Sequence, residues 1–149
     1  EATSNASGVA GAYTLAVSNG ALTTIVPPWP RSTLNGSLAG SDALSHGRSG
    51  PRADYYQLTG DGSTTITLNG SYPTGFDAYM YLYDSNLQPL AADDDSGGNG
   101  SDPGASRITY TLQSGQTYYV EATSNGAGAT GGYTLSVSDG ALAAVASPW

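Results

Sequence analysis

The chain contains no cysteine and no lysine, and only one histidine, one methionine and one phenylalanine. Without thiols there is no disulfide framework, no thiolate nucleophile and no cysteine metal cluster. No apolar run approaches the roughly 20 residues that a helix needs to cross a bilayer. No basic-then-apolar leader opens the sequence, so the signal of an exported protein would have been removed or would lie outside it. Four basic residues stand against twelve acidic ones, for a formal net charge of −8. Such a field repels phosphate backbones and anionic headgroups and attracts cations. Nucleic acid and membrane insertion are therefore not expected, whereas a divalent cation becomes a candidate ligand. Glu, Gln and Met are scarce, while Thr, Val, 11 Tyr and 21 Gly dominate, which favours strands joined by tight turns over helices.

The 149 residues suit one domain with its own core. Period-2 alternation recurs along them. Ile66 and Leu68 share one face of 63–68, and Met80 and Leu82 share one face of 77–83 against Tyr79, Tyr81 and Tyr83 on the other. The pattern continues through 108–112, 118–122 and 133–137, with 54–58 and a weaker 34–38 completing about seven or eight strands. Gly60-Asp61-Gly62, Asp84-Ser85-Asn86 and Ser114-Gly115 supply turns. The expected fold class is all-β, an antiparallel sandwich over 34–140. Residues 27–33 read as a Pro-rich linker and 141–149 as an exit linker.

The most informative feature is a repeat. Residues 1–29 realign without gaps on 121–149, with about 17 of 29 positions identical at an offset of about 120 residues. That period is domain-sized, longer than solenoid repeats. A sandwich has one slot for its last strand, and this chain carries two candidates, centred on Tyr13, Leu15, Val17 and on Tyr133, Leu135, Val137. The surplus strand in 1–26 reads as a donor or interface strand that pairs with a second copy by strand addition or swapping, a head-to-tail contact that propagates instead of closing. Trp29 and Trp149 follow proline at matching positions and are expected to sit between successive modules or to cap their linkers.

Five motifs in order resemble the bacterial pre-peptidase C-terminal domain family: Ala53-Asp54-Tyr55-Tyr56, the run from Phe76 to Asp84, the run from Leu90 to Gly97, Gly115-Gln116-Thr117-Tyr118-Tyr119-Val120, and Gly132-Tyr133-Thr134-Leu135-Ser136-Val137. The resemblance implies a jelly-roll-like β-sandwich on a secreted protein, without catalytic residues, related to the collagen-binding domains of clostridial collagenases. The acidic calcium-ligating linker of those relatives has no match before Leu34, so collagen binding is not carried over.

The segment 93–106 is polar, Gly-rich and acidic. Asp93, Asp94, Asp95, Asn99 and Asp102 are the candidate ligands for Ca²⁺, because hard oxygens converging at about 2.3–2.6 Å are what that ion takes. Asp77 and Asp54 are lesser candidates. The Tyr79, Tyr81, Tyr83 stripe is a candidate ligand face for a fibrous protein or polysaccharide, with ordinary cross-strand packing as the structural alternative. His46 lies among loop-like glycines. No Gly-x-Ser-x-Gly elbow, His-Glu-x-x-His or P-loop accompanies it, so no enzyme is expected. Asn5, Asn35, Asn69 and Asn99 open Asn-x-Ser sequons, of the kind a Ser/Asn-rich chain produces by chance. The function read from the sequence is an exported, non-catalytic module of an extracellular filament or surface array. The alternative is a substrate-binding accessory of a secreted hydrolase.

Overall fold

A computed structural model describes residues 31–70, 76–98 and 102–149. Ten strands run in the order β1 (Ser32–Leu38), β2 (Ala43–Leu44), β3 (Arg52–Thr59), β4 (Gly62–Gly70), β5 (Ala78–Tyr83), β6 (Pro89–Asp93), β7 (Ser106–Leu112), β8 (Tyr118–Ser124), β9 (Gly131–Val137) and β10 (Ala141–Val145). The smaller sheet has the order β1-β9-β4-β7. The larger has the order β10-β3-β8-β5-β6, with β2 pairing on β3, and every pairing is antiparallel.

The alternation read from the sequence decides how the sheets stack. Ile66, Leu68, Ile108, Leu112, Leu135 and Val137 of the smaller sheet face Leu58, Met80, Leu82, Val120 and Ala122 of the larger one. Each of these eleven is at most 4% exposed, and burying a Leu, Ile, Val or Met side chain contributes about 1.5–3 kcal/mol. The all-β sandwich is therefore as expected, with more strands than the seven or eight counted.

Three strands went unread. Residues 141–145, expected as linker, form β10, which pairs along β3 from Ala141↔Thr59 to Val145↔Tyr55. β1 likewise begins inside the expected 27–33 linker. The β9–β10 turn is tied to β4, with Thr64 Oγ1 donating to Asp139 O and accepting from Asp139 N. Gly140 takes φ +126° there, and a Cβ on it would stand 2.7 Å from Thr59 O, so no other residue fits the turn. The expected donor strand within 1–26 lies outside the described residues.

Candidate functional site

The larger sheet buries its outer face as well as its inner one. Register places Tyr55, Glu121 and Tyr81 in one row across β3, β8 and β5. These side chains point away from the sandwich core, yet Glu121 is completely buried and Tyr55 nearly so. Two pieces of chain cover them: the 39–51 connection that contains β2, and the C-terminal Trp149.

The connection is held by hydrogen bonds. Tyr55 OH donates to Leu44 O (2.9 Å) and accepts from His46 N (3.2 Å), and Tyr81 OH donates to Gly47 O (3.0 Å). Arg52 Nη1 donates to Asp42 O (2.8 Å). Gly47 lies so close to Tyr81 that a Cβ would meet the ring at 2.4 Å, which explains the glycine. Beneath this cover, Glu121 accepts from Ser45 Oγ through one carboxylate oxygen and from Tyr83 OH (2.8 Å) through the other. Burial first, then the neighbouring Glu121, push the Tyr83 phenol far above its ordinary value and the Tyr55 phenol up to about 12. Both phenols remain donors at every physiological pH.

Trp149 closes the site. Its ring stacks on His46 (4.2 Å between centroids, 14° between planes) and packs against Tyr83 (5.0 Å) and Tyr55 (5.2 Å). Ser45, His46 and Glu121 thus lie close together without forming a catalytic relay. The serine hydroxyl donates directly to the carboxylate, and the imidazole stacks on an indole. Beside the cover, Arg48 Nη2 donates to Asn125 O (3.2 Å) and Oδ1 (2.7 Å), and its guanidinium sits 4.2 Å over the Tyr79 ring. An open pocket of about 420 Å³ lies here, lined by Arg48, Pro51, Tyr81, Asn125 and Ala127 among others.

The candidate residues for a ligand face are divided by this arrangement. Tyr83 is 2% exposed, so it is not available to a ligand. Tyr79 and Tyr81 are half-buried; Tyr81 lines the pocket, and Tyr79 lies under the Arg48 guanidinium. The stripe is largely the floor of a covered site, because a polar loop with few apolar residues of its own packs on tyrosines whose hydroxyls it can satisfy.

The acidic candidates are divided too. Carboxylate oxygens of Asp77, Asp94 and Asp95 lie within 4.8 Å of one another. Asp93 is not among them: its Oδ2 accepts from Ser96 N (3.1 Å) and Arg107 N (2.7 Å), which ties the end of β6 to β7. Asp102 is buried at 8% exposure, with the Gly104 backbone as a hydrogen-bond partner. Asp54 lies elsewhere, accepting from Tyr133 OH (2.6 Å). Asn99 lies outside the described residues. Asp77, ranked a lesser candidate, is held in the cluster by Asn125 Nδ2 (3.1 Å). The Asp94 carboxyl is raised above its ordinary value by burial first, then by Asp95 and Asp77. Its Oδ1 is buried with no hydrogen-bond partner among the described residues. Three neighbouring hard oxygens suit part of the shell of a Ca²⁺-type ion, which takes about six to eight.

Of the residues assigned to self-assembly, Tyr133, Leu135 and Val137 are buried in β9, an interior strand flanked by β1 and β4. Trp149 packs on its own domain. Tyr13, Leu15, Val17 and Trp29 lie outside the described residues. Sequence reasoning missed Glu121, Ser45 and Tyr55. The signal for Glu121 was present: the chain has two glutamates, and they occupy the same position in the two copies of the repeat.

No family model matches the sequence, and no curated protein matches it. Among solved structures, the chain is similar to the pre-peptidase C-terminal domain of a collagenase from Bacillus anthracis, at 18% identity and a TM-score of 0.48, over 72% of this chain and 89% of that one.

Proposed function

We propose that the chain is a non-catalytic structural module of an exported repeat protein, in which residues 1–29 fill, on a second copy, the slot that 121–149 fill here. One observation carries this reading. The buried positions of 121–149 are Glu121, Ala122, Thr123, Ser124, Tyr133, Leu135, Val137 and Gly140. The first copy of the repeat keeps all eight, as Glu1, Ala2, Thr3, Ser4, Tyr13, Leu15, Val17 and Gly20. Every position that differs between the copies is exposed or half-exposed in the second. Neutral drift would spread differences evenly. Retention at the buried positions is what a segment needs if it must meet the same partners, and those partners belong to the rest of the module: Ser45 and Tyr83 for the glutamate, Arg52 O for Thr123, Asp54 and Tyr56 for Tyr133.

Each chain then carries two segments and one slot, which supports head-to-tail association into an extracellular filament or surface array. Ca²⁺ on Asp77, Asp94 and Asp95 would stiffen the module by relieving the repulsion among them. Light scattering of the whole chain and of residues 31–149, over a concentration series with Ca²⁺ and with chelator, tests the reading. The whole chain is expected to associate and the shorter one to stay monomeric. A whole chain that remains monomeric throughout sinks it.

The pocket beside Arg48 and the half-exposed Tyr79 and Tyr81 favour a second reading, an accessory module that holds a hydrolase on a fibrous or polysaccharide substrate. Retention on insoluble collagen, chitin or cellulose would support it, and retention on none would remove it.

A further inference from the structure

Among the described residues, the exposed large hydrophobic side chains are Leu44, at 59%, and Trp149, at 42%. They flank one residue: Tyr55 OH donates to Leu44 O, and the Trp149 ring packs against the Tyr55 ring. His46, stacked on Trp149, continues the same surface. Leu44 stands on the two-residue strand β2, which among the described residues pairs only with β3. The two exposed apolar residues thus both stand beside Tyr55, on a chain of net charge −8.

The repeat says what lies next to that place. The counterpart of Trp149 in the first copy is Trp29, and β1 begins at Ser32. Only a proline and an arginine intervene, so the two Cα positions are at most about 11 Å apart. Proline also fixes its own φ, which removes freedom from so short a link. A tryptophan seated on one copy as Trp149 is seated here therefore brings the β1 end of the following copy to within about 11 Å of the seat.

We propose that Leu44, His46 and the open side of the seated tryptophan form the docking surface for the β1 end of a second copy, so that consecutive copies are rigidly coupled and do not behave as beads on a flexible string. The occupant is a second copy because, in the repeat, the tryptophan leads within three residues into β1. The flexible alternative is the default for modules without a sizeable apolar contact. The inference rests on the repeat reading above, but its test needs no self-association.

The test uses a chain in which a second copy of residues 30–149 directly follows Trp149. The whole protein tumbles in solution, and backbone ¹⁵N relaxation reads how its copies move. Rigid coupling predicts one rotational correlation time for both copies, about twice that of residues 31–149 alone. Leu44→Asp in the first copy is expected to return the value to that of a single copy, while the melting temperature moves by no more than about 2 °C, as for an exposed side chain. A two-copy chain whose halves already tumble at the single-copy rate overturns the proposal. So does coupling that survives Leu44→Asp. Failure of the chain to self-associate would touch only the strand-exchange reading, because here the copies are joined covalently.

Discussion

The two faces of the larger sheet are built from alternate residues of the same strands, yet they are held by different physics. The inner face presents Leu58, Val120, Ala122, Met80 and Leu82, which pack by shape and volume and would accept many apolar surfaces. The outer face presents Tyr55, Glu121, Tyr81 and Tyr83, and each hydroxyl or carboxylate there has a named partner. A buried carboxylate without donors would be costly, so this face needs a cover that brings Ser45 to Glu121, while the Trp149 ring packs on Tyr83 and Tyr55. The inner face gives the sandwich its stability, and the outer face fixes the polar partners that its cover must bring.

Substitutions on either face separate these roles. The largest effect is expected inside: Leu82→Ala should cost about 2–5 kcal/mol in urea denaturation, with the whole domain losing stability together. Glu121→Ala comes next, at about 1–3 kcal/mol, because Ser45 and Tyr83 are left as buried hydroxyls without their acceptor. Hydrogen exchange should show its damage concentrated in 44–48, and protection there equal to wild type would contradict the account. Gly47→Ala, smaller again at about 1 kcal/mol, drives a methyl group against Tyr81 and should loosen the cover while the inner core is untouched.

The smallest effect belongs to the carboxylate cluster at the end of the sheet. The folded Asp94 carboxyl is raised above its ordinary 3.8. Without cation, its contribution to stability is therefore present below 3.8 and is lost as pH rises through the folded value. Ca²⁺ should restore the loss at neutral pH and do nothing in acid. Asp94→Asn should remove both the pH dependence and the Ca²⁺ response, which thermal melts with and without chelator would read.

Much of the sandwich was legible because β4, β5, β7, β8 and β9 alternate cleanly, with large apolar residues facing in. β10 was not: Ala141-Leu142-Ala143-Ala144-Val145 is an alanine-rich edge strand with no polar residue to alternate against, and its pairing with β3 is what marks it as a strand. β6 opens on Pro89 and runs into the acidic loop, so composition hid it. The cation cluster was half legible. Three adjacent aspartates suggested one site, but Asp93 is used to cap the turn into 96, and its place is taken by Asp77, the residue before β5, a contact that spacing does not reveal. Glu121 was harder still, since it stands on the apparent outside of a strand and is buried because the distant 39–51 connection and Trp149 fold over that face.

The claim that 1–29 and 121–149 compete for one slot has a direct test. In residues 31–149 carrying Leu135→Asp, the module's own β9 can no longer occupy the core. Adding a peptide of residues 1–29 should restore a cooperative melt, and the same peptide with Leu15→Asp should not. A melt unchanged by the wild-type peptide, at concentrations well above that of the protein, would contradict the account.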